Sequence, residues 1–400
     1  MFRISQYMHA LRDEKPAGPV RKPKGPVVIW NLIRRCNLTC KHCYSISADV
    51  DFPGELSTEQ VFDTMDDLKT FGVPVLILSG GEPLLRPDIF EIGKRAKDMG
   101  FYVGLSSNGT LIDESNVQKI ADTGFNYVGV SLDGLEANHD KFRRKKGAFK
   151  ASMKGIQLCK NLGVKVGIRC TLNQSNFQDL PALLDLLDEY DLDKFYLSHL
   201  NYSGRGKRHR GEDAHFKMTR DAMDILFDRA WEDAINGGSK EFVTGNNDAD
   251  GIYMLQWVER KLGKAQAELL RGHLLNWGGN ASGQMIANID NLGDVHPDTF
   301  WWKYNLGNVK DTPFSKIWGE PTDELMLGLR QSPRPVEGRC AQCAHQAICN
   351  GNTRTRAYAL NGTFWGEDPG CYLSDAEIGL TADQSKAQNE FNEHLIAKGA

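Results

Sequence analysis

The sequence predicts an α/β fold built on parallel strands, with a small, differently patterned extension at its C-terminal end. Three observations carry this. From residue 25 to about 200, short apolar runs alternate six times with longer amphipathic stretches, the signature of strands joined by crossover helices. Beyond that point the pattern changes to long helical segments and then to short strand-like pieces rich in Gly and Asn. Seven of the nine cysteines fall in two clusters, one just after the first apolar run and one near the end.

The elements follow in order. VVIWNLI (27–33) reads as a strand, and STEQVFDTMDDLKTFG as a helix capped by Ser57 or Thr58. VPVLILSG (73–80) is the second strand, and PDIFEIGKRAKDMG a helix closed by Gly100. FYVGLSS (101–107) precedes the helix DESNVQKIADTG, and NYVGVSLDG (126–134) precedes the basic loop KFRRKKGAFK and the helix SMKGIQLCKNLG. VKVGIRCTL, the helix FQDLPALLDLLDEY and KFYLSHL (194–200) complete the six units. A parallel barrel and a doubly wound sheet both fit, although a full eight-unit barrel usually needs about 250 residues. TRDAMDILFDRAWEDAI (219–235) and YMLQWVERKLGKAQAELL (253–270) read as helical, with VTGNNDADG as a polar loop between them. GQMIANIDNLGDVHPD and YNLGNV read as short strands, and the polar end from about 375 as a terminal helix or frayed tail.

The chain of 400 residues has a formal net charge of −4, which points to neither nucleic acid nor an anionic membrane. No apolar run approaches the ~18 residues a membrane span needs, and the start has no apolar segment of the secretory kind. A cytoplasmic location is expected. Nine cysteines, an odd number, argue against a disulfide framework. Cys159 and Cys170 lie in apolar contexts and read as buried thiols.

CNLTCKHC places Cys36, Cys40 and Cys43 in the loop after the first strand, where parallel α/β folds bind ligands. Structural zinc wants four ligands, and His42 is a poor fourth beside Cys43. Catalytic zinc with an open position and an iron–sulfur cluster with one open iron are the other possibilities. CAQCAHQAIC adds Cys340, Cys343 and Cys349, with Cys371 further on, and four thiolates can close either a zinc site or a cluster.

The C-x3-C-x2-C spacing after a first strand resembles the radical S-adenosylmethionine (SAM) superfamily, as does Gly80-Gly81-Glu82-Pro83 after the second strand. The resemblance implies a partial (β/α)6 TIM-like barrel. It implies a 4Fe-4S cluster on Cys36, Cys40 and Cys43 whose open iron chelates SAM, and reductive cleavage to a 5′-deoxyadenosyl radical. It further implies SAM contacts from Gly80, Gly81, Glu82 and Pro83, from Asn108 in SSNGTL, and from Ser131 and Asp133 in SLDG. HDKFR is similar to the family's H-D-x-x-R element, in which Arg143 would pair with the SAM carboxylate. Arg144, Lys145 and Lys146 read as a solvated loop. His42 stands where many members have an aromatic residue.

The second cluster resembles the SPASM extension of these enzymes, in which Cys340, Cys343, Cys349 and Cys371 would hold an auxiliary 4Fe-4S cluster. A second auxiliary cluster would need a cysteine where Asp298 stands, and its partner segment reads Asn280-Ala281-Ser282-Gly283. One auxiliary cluster is therefore expected. The implied division is an N-terminal lead (1–24), a core (25–235), a helical linker (236–280), a SPASM-like domain (281–375) and a tail (376–400).

The N-terminal lead, TGNNDADG and the single C-terminal cluster resemble the radical SAM enzymes of haem d1 biosynthesis. That resemblance implies didecarboxysirohaem as substrate, loss of two propionates replaced by oxo groups, and a reductant such as flavodoxin or ferredoxin. A propionate decarboxylase of the alternative haem pathway, a peptide-modifying SPASM enzyme and a zinc-stabilised binding protein are the alternatives. A substrate with several carboxylates calls for cations, and Arg169, His199 and Arg205 stand at or after strand ends, with Lys207 and Arg208 following. A lone His199 is ordinarily a satisfied core or loop residue. Trp301 and Trp302 suit either macrocycle stacking or core packing.

Overall fold

The computed structural model describes residues 1–19 and 23–385. One ten-stranded sheet organises the chain: β1 (Phe2–Arg3), β2 (Val27–Asn31), β3 (Val75–Ser79), β4 (Tyr102–Ser107), β5 (Tyr127–Ser131), β6 (Val166–Thr171), β7 (Lys194–Ser198), β8 (Glu241–Gly245), β9 (Ile286–Ile289) and β10 (Val295–His296). The spatial order is β1-β8-β7-β6-β5-β4-β3-β2-β9-β10. Strands β2 to β8 run parallel in sequence order, from Val27↔Val75 to Lys194↔Glu241, as a curled partial barrel. β9 pairs in parallel with β2, and β10 turns back on β9, so the C-terminal extension continues the barrel's own sheet.

The six expected strands are β2 to β7, and the sheet goes beyond them. The segment expected as a helical linker begins with β8, which pairs with β7 through Lys194↔Glu241 and Ser198↔Gly245. The N-terminal lead supplies β1, which pairs antiparallel with β8 through Phe2↔Thr244. Its helix Ile4–Arg12 then packs beside helix Phe216–Ile235. The helical stretch 253–270 is broken at Gly263, whose φ of +91° ends helix Ala249–Leu262 before Lys264–Trp277 begins. Part of the expected tail, residues 386–400, lies outside the described residues.

The strand residues divide by alternation into two unlike faces. Val28, Trp30, Leu76, Leu78, Val103, Leu105, Val128, Val130, Val166, Ile168, Phe195 and Leu197 are each at most 1% exposed and form the core against the helices. The alternate positions are small or polar at the mouth end: Asn31, Ser79, Ser106, Ser131, Arg169 and Ser198. Bulky apolar residues hold the helices, and small ones leave a lumen. The first crossover helix, Thr58–Phe71, is capped by Ser57, one of the two residues expected, in a capping box with Gln60, and ends on left-handed Gly72.

Candidate active site at the barrel mouth

The loop from Cys36 to Cys43 leaves the end of β2 without regular structure, so other segments must hold it. The Gly80–Glu82 turn after β3 does this from one side: Gly81 donates its N–H to Ile33 O at 2.6 Å, and Glu82 to Arg35 O at 2.9 Å. A Cβ on Gly81 would lie 2.3 Å from Arg35 O, and one on Gly80 2.5 Å from Ile33 O, so only glycine permits this approach. From the other side, Arg205 donates its N–H to Cys43 O (2.9 Å), its Nε to Cys40 O (2.7 Å) and its Nη1 to Ser47 O (3.0 Å). Gly204 precedes it at φ +55°, where a Cβ would meet Tyr44 O at 2.3 Å.

Each thiol of the loop faces a donor. Asn108 Nδ2 lies 3.8 Å from Cys36 Sγ, Arg143 Nη1 lies 3.4 Å from Cys40 Sγ, and the Ser45 hydroxyl lies 3.3 Å from Cys43 Sγ. Donors around sulfur suit thiolates, which accept hydrogen bonds and have none to give. Burial pushes the Cys36 thiol up to about 12, and the Glu82 carboxylate nearby reinforces this. Burial also raises the Cys40 thiol, with Arg143 opposing it. A bound cation reverses that balance, because a coordinating thiol is deprotonated outright. The donor set thus fits an iron–sulfur group held by Cys36, Cys40 and Cys43.

The Glu82 side chain is fully buried at the same mouth. It accepts from Ser107 Oγ (2.8 Å), Asn108 N (2.8 Å) and Leu84 N (3.2 Å), and burial still raises its carboxyl to about 7. Pro83, itself buried, opens the turn Pro83–Leu85 behind it. Asp133, after β5, pairs with Arg143 Nη2 and accepts the N–H of Thr171 at 2.6 Å. Burial works against the Arg143 cation, yet Asp133 and Cys40 hold its pKa up. Arg143 therefore touches both the Cys40 thiol and a carboxylate. His42 packs edge-on to Phe142 at 4.8 Å, and burial lowers its imidazole to about 4.

Ser131 and Arg169 are register partners on the lumen face. The Arg169 guanidinium bonds the Ser106 hydroxyl and lies 5.4 Å from the Tyr196 ring centre. Among the described residues it makes no ion pair. His199 is placed elsewhere. It shares the parity of Phe195 and Leu197, faces the helix side, and binds Asp250 Oδ2 through Nε2 at 2.9 Å. Tyr372 donates its hydroxyl to the other Asp250 oxygen at 2.8 Å. His199 is thus a buried structural group and not the lumen cation its strand-end position implied. Arg205 is likewise a brace for the cysteine loop. Alternation along KFYLSHL was the signal that could have separated His199 from Arg169.

Of the four C-terminal cysteines, Cys340 and Cys349 lie on two short helices, Gly338–Ala341 and Gln346–Cys349, Cys343 lies in the turn between them, and Cys371 lies in the loop after helix Arg354–Asn361. Cys343 Sγ accepts the His345 N–H at 3.3 Å, and Cys371 Sγ faces Arg339 Nη1 at 3.4 Å. The TGNNDADG stretch docks this segment. Asn247 Nδ2 donates to Gly370 O (2.7 Å), Asn352 Oδ1 accepts from Asp248 N (2.7 Å), and Thr353 Oγ1 donates to Asn246 O (3.0 Å). Arg356 pairs with buried Asp368 through two contacts of 2.8 Å and donates to Leu200 O at 3.1 Å. The segment Asn280–Gly283 and Asp298, where a second auxiliary cluster would have needed cysteines, meet through one hydrogen bond: Ser282 Oγ donates to Asp298 Oδ2 at 2.5 Å. Trp301 and Trp302 part company. Trp301 is core beside Tyr304, Tyr358 and Phe364, while Trp302 faces Tyr44 next to Cys43.

Comparison with known proteins agrees with this geometry. The chain is 53% identical over 96% of its length, and 95% of the relative's, to the pre-heme d1 synthase of Dinoroseobacter shibae. It is 42% identical, over 90% of each chain, to the Fe-coproporphyrin III synthase of Methanosarcina barkeri. Streptococcus suis SuiB shares the fold at a TM-score of 0.68 and 17% identity, across 88% of this chain and 78% of that one. The Radical SAM superfamily profile matches residues 30–187, the stretch that carries the cysteine loop, the Gly80–Glu82 turn, Asp133, Arg143 and Arg169. With that match over the loop and the first five parallel strands, and a relative alike along nearly its whole length, the chain belongs to the radical SAM superfamily.

Proposed function

We propose that this chain acts in haem d1 biosynthesis on the propionate side chains of an iron-containing tetrapyrrole. The observation that carries the reading is Arg169, a lumen-facing guanidinium whose neighbours are a serine and an aromatic ring, with no carboxylate paired to it among the described residues. A substrate bearing several carboxylates supplies the missing anion, and a planar guanidinium suits it. The name of the 53%-identical relative, pre-heme d1 synthase, supports the same reading.

When bound, the family's 4Fe-4S cluster and SAM supply a 5′-deoxyadenosyl radical that takes a hydrogen atom from the substrate. The chain's own residues arrange that event. Cys36, Cys40 and Cys43 would hold the cluster through three thiolates. The Gly80–Glu82 turn presents acceptors to the SAM ammonium, and Asn108, Ser131 and Asp133 border the same space. Serines at the mouth end of β3, β4 and β5 leave room, and Arg169 anchors a propionate. Tyr44, Phe300 and Trp302 wall the side nearest Cys43. Cys340, Cys343, Cys349 and Cys371 hold one auxiliary cluster for electron relay, and the substrate is didecarboxysirohaem, which loses two propionates and gains oxo groups.

The test incubates the reduced, iron-reconstituted protein and SAM with didecarboxysirohaem, with iron-coproporphyrin or with a candidate peptide. Deoxyadenosine formation and propionate loss with didecarboxysirohaem are expected. Turnover of iron-coproporphyrin alone shifts the function to the second reading, propionate decarboxylation, which the 42%-identical relative's name favours. Stimulation by the peptide alone overturns both. Arg169→Gln is expected to raise the macrocycle KM at least tenfold while SAM cleavage without substrate stays unchanged.

A further inference from the structure

The basic run after His139 read as a solvated loop, but the structure gives it a second half and a place. Lys141, Arg144, Lys145 and Lys146 are exposed at the end of helix Glu136–Arg143. Lys207, Arg208 and Arg210 are exposed on the turn that braces the cysteine loop. The two segments meet where Arg144 Nη2 lies 3.4 Å from His209 Nε2. Both are bonded to the cysteine loop: Lys41 N–H donates to Phe142 O at 3.0 Å, and Arg205 N–H to Cys43 O at 2.9 Å.

None of these seven cations is in an ion pair among the described residues. The local carboxylates are engaged with other groups. Glu136 pairs with Lys150 (3.1 Å), Asp140 accepts the Gly147 and Phe149 N–H groups, and Glu212 takes Lys41 and His209. Asp213 accepts from Tyr202 at 3.0 Å. A chain with net charge −4 therefore concentrates seven uncompensated positive charges around the loop that presents its three thiols. Like charges held together repel, and a surface of this kind steers an oppositely charged partner into contact.

We infer that this face docks a small acidic one-electron donor protein. The inference rests on the family reading, because radical SAM chemistry needs an electron delivered to the cluster at Cys36, Cys40 and Cys43. In the transfer the donor loses one electron and the iron–sulfur site gains it, and no bond forms or breaks between the proteins. Arg143 joins the two places: its guanidinium lies 3.4 Å from Cys40 Sγ, and the next three residues are Arg144, Lys145 and Lys146.

Flavodoxin is the probe. Its affinity for the reconstituted holoenzyme is measured by calorimetry at low and high salt, for wild type and for a variant combining Lys145→Glu, Lys146→Glu, Lys207→Glu and Arg208→Glu. Iron content and thermal melting confirm the variant's fold. Binding at least tenfold weaker in the variant, salt-sensitive in wild type, and unchanged SAM cleavage with dithionite are expected. Equal binding by both proteins overturns the docking face. So does a wild type that cleaves SAM with dithionite and ignores flavodoxin, or one whose patch retains an oligonucleotide and not flavodoxin. A wild type that cleaves no SAM even with dithionite overturns the family reading along with it.

Discussion

At the N-terminal cysteines, the thiols hang on an irregular loop gripped from outside, by a glycine turn on one flank and by Gly204 and Arg205 on the other. At the C-terminal cysteines, two short helices present Cys340 and Cys349, a turn and a loop carry Cys343 and Cys371, and a polar seam fastens the whole segment to the ends of β7 and β8. The first arrangement puts three sulfurs beside a lumen and beside a buried acid, Glu82. The second segment carries four cysteines beside a buried ion pair, Arg356 and Asp368. Three thiolates leave a coordination position that can admit a small molecule, and four fill it.

Four predictions test this contrast, from the largest effect to the smallest. Replacing Cys36, Cys40 and Cys43 with Ala is expected to abolish deoxyadenosine formation and remove about half the iron and sulfide, with the C-terminal half retained. Loss of all the iron would mean that the two sites are not independent. Arg356→Met leaves the buried Asp368 carboxylate unpaired and is expected to cost about 3–5 kcal/mol in denaturant unfolding. The double variant Arg356→Met/Asp368→Leu should recover most of that loss.

The third prediction concerns Glu82. The folded chain holds its proton up to about pH 7, while the unfolded chain releases it at the ordinary glutamate value of 4.5. Between those values the folded state binds more protons, so stability falls as pH rises. Thermal melts of the iron-free protein from pH 5 to 8 should show a loss of about 3 kcal/mol that Glu82→Gln lacks. The fourth is Ser282→Ala, which removes the hydrogen bond to Asp298 for about 1 kcal/mol. Iron content should not change, and a drop in iron would mean that this pair does bind a metal group.

The parts of the molecule that sequence displayed, and those it concealed, differ for physical reasons. β2 to β7 were legible because each strand alternates or runs apolar for five or six residues before a helix of the 3.6 period. β8 was not, because Glu241–Gly245 buries only Phe242 and Val243 as large apolar side chains and runs straight into Asn and Asp. β1 is two residues long, too short for any period to show. The cysteine loop and the Gly80–Glu82 turn were legible because the residues they require are rare in that spacing. Arg169 and His199 looked equivalent as strand-end residues, yet one faces the lumen and the other the helices. The role of TGNNDADG was concealed for another reason: its partners, Asn352, Thr353 and Gly370, are about a hundred residues away in sequence.

The seam those residues form is made of directional bonds, where most contacts between layers of a protein are apolar and forgiving of small slips. A greasy interface can slide by an ångström at little cost. A row of amides, carbonyls, a hydroxyl and a guanidinium at 2.7–3.1 Å cannot, because every bond weakens together. The seam therefore works as a ruler: it sets a fixed separation between the two sets of thiols. Any current between two iron–sulfur groups seated there would run at a rate written into Asn246, Asn247 and Arg356 and not one adjusted by hinge motion.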